Sequence, residues 1–239
     1  MSAETTLLQR SASAAFGLAL LAVATALFAW VKDWPAFALR RIEVTTAPVE
    51  LEPGLLEAVL RSDVRGTFFS VSLEAVRAAL LKLPWVREAR VSRHWPGTLR
   101  IALVEYRAVA QWSDQELLAE DGTVFRATTR RPLPRFEASS ANPLEALNRF
   151  RDVRRVFSRL GLKVKRFGMT DRGAVWAEAE GGLRVEFGRE QFAERLERFA
   201  QAWAQWSEAE RAQIARVDLR YRAAVAVEAR QGVTRGGGA

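Results

Sequence analysis

The sequence predicts an α+β protein. One N-terminal transmembrane helix is followed by a small β-α-α-β-β module and then by a mixed β-sheet with packing helices. Three features carry this. An uncharged run of 21 residues, Ser11 to Val31, stands near the start. Between 38 and 106 a strand pattern, two helix patterns and two more strand patterns follow one another. Beyond 107, period-two apolar alternation is interrupted by two apolar stripes of helical period.

The first run has the length of a membrane span. At about 1.5 Å per residue a helix of this size reaches roughly 30 Å, the thickness of a bilayer core. Phe16, Leu18, Leu20, Leu21, Val23, Leu27 and Phe28 fill it, Trp30 and Trp34 stand where interfacial aromatics belong, and Lys32 and Asp33 end it. It has no polar face, which argues against a buried helix of a soluble domain. Ala22, Ala24 and Ala26 offer small-residue cleavage sites, but the run continues past them and exceeds the roughly 7–15 residues of a signal-peptide core. The expectation is a retained span over 12–31 behind a short cytoplasmic tail, 1–11. Charge does not choose the orientation, because Arg10 on one side is matched by Lys32, Arg40 and Arg41 on the other. Bulk favours a cytoplasmic N-terminus, since only about ten residues precede the span.

In the first module, 38–106, Leu39 to Val44 reads as a short strand. Pro53 opens a helix through Leu60, with Leu55, Leu56, Val59 and Leu60 as its stripe. Gly66 breaks the chain before the adjacent pair Phe68 and Phe69, of which one is expected in the core. Ser72 caps a second helix, Leu73 to Leu83, and Pro84 ends it. Val86–Arg93 and Thr98–Glu105 are strands joined by the turn Trp95-Pro96-Gly97. Trp85, at a strand start after proline, is expected as a core anchor.

The second module spans 107–230. Ala108–Trp112 and Glu116–Glu120 are strands, and Asp121-Gly122 turns the chain into Thr123–Phe125. Pro132 and Pro134 mark a loop. Pro143–Leu160 is a helix with Leu144, Leu147, Val153, Val156, Phe157 and Leu160 on its buried face, and Gly161 as its C-cap. Strands are expected at Leu162–Phe167, Ala174–Glu180 and Leu183–Phe187, the last pair joined by Gly181-Gly182. A second helix, Glu190 to about Trp206, carries Phe192, Leu196, Phe199 and Trp203 on one face. Val217–Tyr221 and Ala223–Ala229 close the sheet, with Val217, Leu219 and Tyr221 on one face by alternation. Residues 231–239 read as a disordered tail.

Several of these residues together resemble the FtsQ/DivIB family of bacterial cell division proteins. In the first module they are Pro84, Trp85 and Val86, then Ala89 and Val91, then Arg93-His94-Trp95-Pro96, then Leu99, Ile101 and Glu105, which resemble that family's POTRA domain. In the second they are the Asp121-Gly122 turn ahead of an aromatic, Gly188-Arg189, and the run Asp218-Leu219-Arg220-Tyr221 followed by Ala224-Val225. The resemblance covers about 30–230. It implies a non-enzymatic bitopic protein of the divisome, with the POTRA domain at 38–106 and the β domain at 107–230 both periplasmic. It further implies that the C-terminal strand adds a segment of FtsB, which comes paired with FtsL. Tyr221 would be the aromatic anchor and Arg220 a charge contact, with Ala223, Ala224, Val225 and Val227 along the strand and Arg172 as a further acid-binding candidate. The sequence departs from the family in two places: Arg222, Ala223 and Ala224 fill a stretch where a glycine is usual, and Glu228 and Ala229 stand where a second aromatic or glycine pattern is usual.

The remaining chemistry narrows the choice. The chain has no cysteine and one histidine, so disulfides, thiolate metal sites, cysteine nucleophiles and multi-histidine sites are excluded. No Walker loop or nucleophile elbow appears, and no cofactor or metal is expected. Glu178 and Glu180 share a strand face, which is weak support for a glycosidase pair. The formal charge of +8 lies mostly beyond residue 107, and Arg149–Arg166 holds eight basic residues against Asp152. That stretch is either a solvated face or a surface for anionic headgroups or an acidic partner. Nucleic acid is disfavoured, because no aromatic platform is interleaved with the basic residues. Self-association stays open. The competing readings are a POTRA-bearing transport component and a secreted enzyme released by signal cleavage.

Overall fold

A computed structural model describes residues 16–27, 30, 34–138, 141–221 and 224–230. The expected tail 231–239, and residues 1–15 with part of the expected span, lie outside the described residues. Residues 16–27 are helical with exposed side chains. Among the described residues no helix is long and apolar enough to cross a membrane. The chain divides into two compact units, Met1–Glu105 and Tyr106–Ala239.

The first unit has the β-α-α-β-β order read from sequence. Strand β1 (Arg41–Val44) is followed by helices α1 (Pro53–Asp63) and α2 (Leu73–Leu80) and the hairpin β2 (Val86–His94) and β3 (Thr98–Glu105). The sheet order is β1-β3-β2, with β1 parallel to β3 and β2 antiparallel to it. Pro53 starts α1, where a missing N–H costs nothing. The Ser72 hydroxyl accepts from the Ala75 N–H and starts α2. Leu56, Leu60, Val76 and Leu80 are buried from the helices, and Val86, Ala89, Leu99, Ile101 and Leu103 from the sheet. Helix α2 stops at Leu80, one turn before the expected Leu83, and residues 81–85 turn the chain into β2. Phe68 is buried while Phe69 is exposed, as their adjacency requires. Glu105 ties the unit's first loop down, its carboxylate accepting from the N–H groups of Val49 and Leu51 at 2.8 Å each.

The second unit is a nine-stranded mixed sheet in the order β12-β11-β10-β9-β8-β7-β4-β5-β6. Its strands are β4 (Ala108–Gln111), β5 (Glu116–Ala119), β6 (Val124–Arg126), β7 (Arg135–Glu137), β8 (Val164–Met169), β9 (Val175–Ala179), β10 (Arg184–Gly188), β11 (Ile214–Asp218) and β12 (Ala226–Ala229). Helices α3 (Pro143–Arg159), α4 (Phe192–Gln205) and the short α5 (Glu208–Gln213) complete it. A core of Phe136, Phe150, Phe157, Phe167, Phe187 and Phe199 joins α3 and α4 to the sheet. Two elements were absent from the sequence reading. Strand β7 pairs with both β4 and β8 and makes the sheet continuous. Helix α5 is held by a reciprocal capping box between Ser207 and Glu210. Two burial expectations are corrected: Leu55 on α1 is 43% exposed, and Leu144 on α3 is 51% exposed. Leu144 lies over Gly122 in the β5–β6 turn, and Phe150 takes the place in the core.

The face of the sheet away from the core is polar and ordered by ion pairs. Arg166 on β8 meets Glu137 on β7 and Glu178 on β9. Two cations pack on the Trp176 ring, with the Arg184 guanidinium 3.9 Å and that of Arg166 5.5 Å from its centroid. The indole lies flat across Gly168 on the neighbouring strand, so a Cβ there would fall inside the ring. Gly168→Ala is therefore expected to displace Trp176 and destabilise the unit by about 1–3 kcal/mol. A urea midpoint equal to wild type would contradict this.

Candidate functional site

The outer edge of the sheet is built by the last two strands. Parallel pairing of β10 and β11 (Val185↔Val217, Glu186↔Asp218) buries Val217. Antiparallel pairing with β12 (Val217↔Val227, Asp218↔Ala226) leaves β12 at the edge with all four residues exposed. The Arg230 N–H donates to the Gln213 carbonyl at 2.7 Å. Alternation from that bond turns the backbone groups of Val227 and Ala229 toward the open side. The Val227 side chain stands opposite Val217 at the margin of the core face, 46% exposed.

Strand β11 ends at Asp218 and β12 begins at Ala226, and the described residues between them, 219–221 and 224–225, belong to neither strand. This corrects the expectation of one continuous strand face through Tyr221. Leu219 is buried and still donates to the Glu186 carbonyl at 2.9 Å, but β11 ends at Asp218 and Tyr221 is 60% exposed. The expected second strand over Ala223–Ala229 is shorter, Ala226–Ala229. Ala224 is exposed, Val225 packs against the core, and Ala223 lies outside the described residues.

Arg220 folds back on Asp218. Its Nη2 and Nε reach the carboxylate at 2.6 and 3.0 Å, and its backbone N–H donates to the same group at 3.0 Å. A local carboxylate therefore already engages the expected charge contact. These bonds hold the Asp218 carboxyl below its ordinary range, the Arg220 side-chain hydrogen bond being the main cause. A depressed folded-state pKa adds stability that is present above the unfolded value, near 3.9, and is lost as pH falls through the folded one. Asp218→Asn is thus expected to lower the unfolding midpoint at neutral pH. The difference from wild type should shrink as pH falls from the unfolded value, near 3.9, through the lower folded one, which thermal melts at stepped pH would read.

Arg172 is exposed in the turn between β8 and β9, away from the hairpin in sequence. It lines a polar groove of about 470 Å³ with Arg149, Arg189, Asn142, Glu145 and Asp171. Arg189 follows Gly188, where an added Cβ would stand 3.1 Å from the Arg220 side chain, so the groove begins beside the hairpin. Within the basic stretch most groups have local roles. Arg149 lies over the Phe192 ring and Arg154 over that of Phe150, Arg155 pairs with Asp152, and Arg151 reaches the Glu120 carbonyl. Of the weak acid pair, Glu178 is engaged by Arg166 and Glu180 sits in the turn after β9.

Helix α4 holds two residues that pattern reading passed over. The Arg195 side chain donates to the carbonyls of Phe187 and Arg220, and Arg198 donates to that of Tyr221. A sequence signal existed for Arg195: it stands three residues after Phe192 and one before Leu196, on the apolar stripe.

A small β-α-α-β-β module followed by a mixed sheet with an exposed terminal strand defines one class of two-unit α+β protein. The comparisons identify which. Residues 37–106 match the POTRA domain, FtsQ-type, and residues 109–220 match the cell division protein FtsQ/DivIB, C-terminal family. The cell division protein FtsQ of Burkholderia pseudomallei is 31% identical over 229 residues, covering 93% of this chain and 92% of that protein. That of Xanthomonas campestris is 33% identical, covering 90% and 78%, and that of Bordetella pertussis 31%, covering 85% of each. The chain belongs to the FtsQ/DivIB family of cell division proteins.

Proposed function

We propose that this chain is a non-enzymatic divisome scaffold of the bacterial inner membrane. One N-terminal helix over 12–31 anchors it, the N-terminus is cytoplasmic, and both units work in the periplasm at the division septum. Its β12 edge takes a strand of FtsB, presented together with FtsL. Through such contacts it localises and regulates septal peptidoglycan synthesis. The uncharged run 11–31 and the exposed apolar side chains of 16–27 support the anchor.

The observation that carries the partner reading is the open edge itself. Among the described residues strand β12 is unpaired on one side and its four residues are exposed, and it carries no proline or lysine. Such an edge invites strand addition unless something blunts it. Backbone bonds along Val227 and Ala229 would supply affinity, while Val227 and the exposed Tyr221 would supply side-chain contact. The test is binding of the full-length chain, in detergent, to a soluble FtsB–FtsL fragment, for wild type and Val227→Pro. Proline removes an outward N–H from an edge strand that tolerates it structurally. Loss of about tenfold or more in affinity is expected. Equal binding by the two proteins would move the contact off this edge.

A further inference from the structure

Among the described residues Arg195 is the buried charged residue of the second unit, 6% exposed, on the core-facing stripe of α4. It has no ion pair among the described residues. Burying a cation is costly unless its donors find acceptors. Here Nη1 donates to the Phe187 carbonyl at 2.7 Å and Nη2 to the Arg220 carbonyl at 3.0 Å, while Nε has no partner. One helical turn on, Arg198 Nη1 donates to the Tyr221 carbonyl at 3.0 Å. Gly188 makes room for this arrangement. Its φ is +71°, and a Cβ would come within 2.7 Å of Arg195 Nη1. Two arginines of one helix thus grip successive carbonyls at the start of the β11–β12 hairpin, and the Tyr221 ring stays exposed.

We propose that Arg195 and Arg198 are positioning residues of the docking site, holding the backbone of Arg220 and Tyr221 so that the partner meets a preformed hairpin. This rests on the docking reading above. A seven-residue connection left loose would have to be ordered on binding, at a cost in affinity, and prior ordering removes that cost. The two arginines differ in what they demand. Arg195 serves two carbonyls and needs the planar fork of a guanidinium, whereas Arg198 serves one and a lysine can replace it.

The test uses the full-length chain and two readouts. On the free protein, Arg198→Ala is expected to speed amide exchange in 219–225 about tenfold with an unchanged unfolding midpoint, because Arg198 is only partly buried. Against the FtsB–FtsL fragment the same variant should bind about five- to tenfold more weakly. Arg198→Lys should restore most of both, and Arg195→Lys should not reach wild-type behaviour in either. Wild-type exchange in Arg198→Ala, or faster exchange with unchanged affinity, overturns the positioning role. If wild type binds and Tyr221→Ala does not, while Arg198→Ala binds normally, only the clamp falls. If folded wild type fails to bind at all, the docking reading falls and takes the positioning role with it.

Discussion

Trp85→Ala is expected to lower the stability of the first unit by about 3–5 kcal/mol, the range for removing a large buried aromatic. Trp85 is 4% exposed and stands immediately before β2. Its backbone sits at φ +71°, a region that bulky side chains rarely adopt and that surrounding packing must hold in place. The indole is what makes that conformation worthwhile, so truncation leaves both a cavity and an unfavourable backbone. Domains of this kind hold only about 5–15 kcal/mol in all. Trp95 provides the control. It stands in the next turn and meets Phe68 edge-on at 5.7 Å, but it is 63% exposed. Trp95→Ala should therefore cost about 1 kcal/mol or less. Urea unfolding of both variants, followed by exchange in β2 and β3, reads the contrast. Equal effects would mean that Trp85 does not anchor the first unit.

Why these elements were legible differs from case to case. The first module was open to reading because punctuation and periodicity agree: Pro53 and Ser72 start its helices, and Gly97 at φ +65° closes its hairpin. The strand Leu183–Phe187 alternates cleanly, and Leu183, Val185 and Phe187 are all buried. Strand β7 was not legible. Three residues behind Pro132 and Pro134 carry no period, and the strand exists because β4 and β8 offer edges on either side. Helix α5 was legible and missed, since Ser207 and Glu210 have capping-box spacing. Leu144 shows the limit of counting apolar positions: at the second position of α3 it covers a turn glycine, and the stripe proper runs through Leu147, Phe150, Val153 and Phe157.

The site divides in the same way. Tyr221 and Arg220 came from a motif, and the backbone explains why a motif was needed. They lie past the end of β11, where alternation no longer says which way a side chain points. The ion pair between Arg220 and Asp218 joins residues two apart, which strand alternation already puts on one face. The grip of α4 on the hairpin is a side-chain-to-carbonyl arrangement between distant segments, and only the polar residue on an apolar stripe hints at it.

Tyr221→Ala is expected to weaken binding to FtsB–FtsL by about 2 kcal/mol or more, roughly 30-fold, with folding retained. The two halves of this expectation have separate grounds. Folding is retained because the ring is exposed and the backbone around it is held by groups that the substitution leaves in place: Leu219 to Glu186, and the Tyr221 carbonyl to Arg198. Affinity is lost because a tyrosine adds a large rigid apolar area at small entropic cost, which makes it a common anchor once a partner covers it. Tyr221→Phe separates the ring from the hydroxyl. If packing dominates, the phenylalanine variant keeps most of the affinity. If the hydroxyl bonds the partner, it loses about 1 kcal/mol. Titration calorimetry on the three proteins distinguishes these outcomes. Wild-type affinity in a folded Tyr221→Ala variant would remove the ring from the contact and leave the β12 backbone edge to carry it alone.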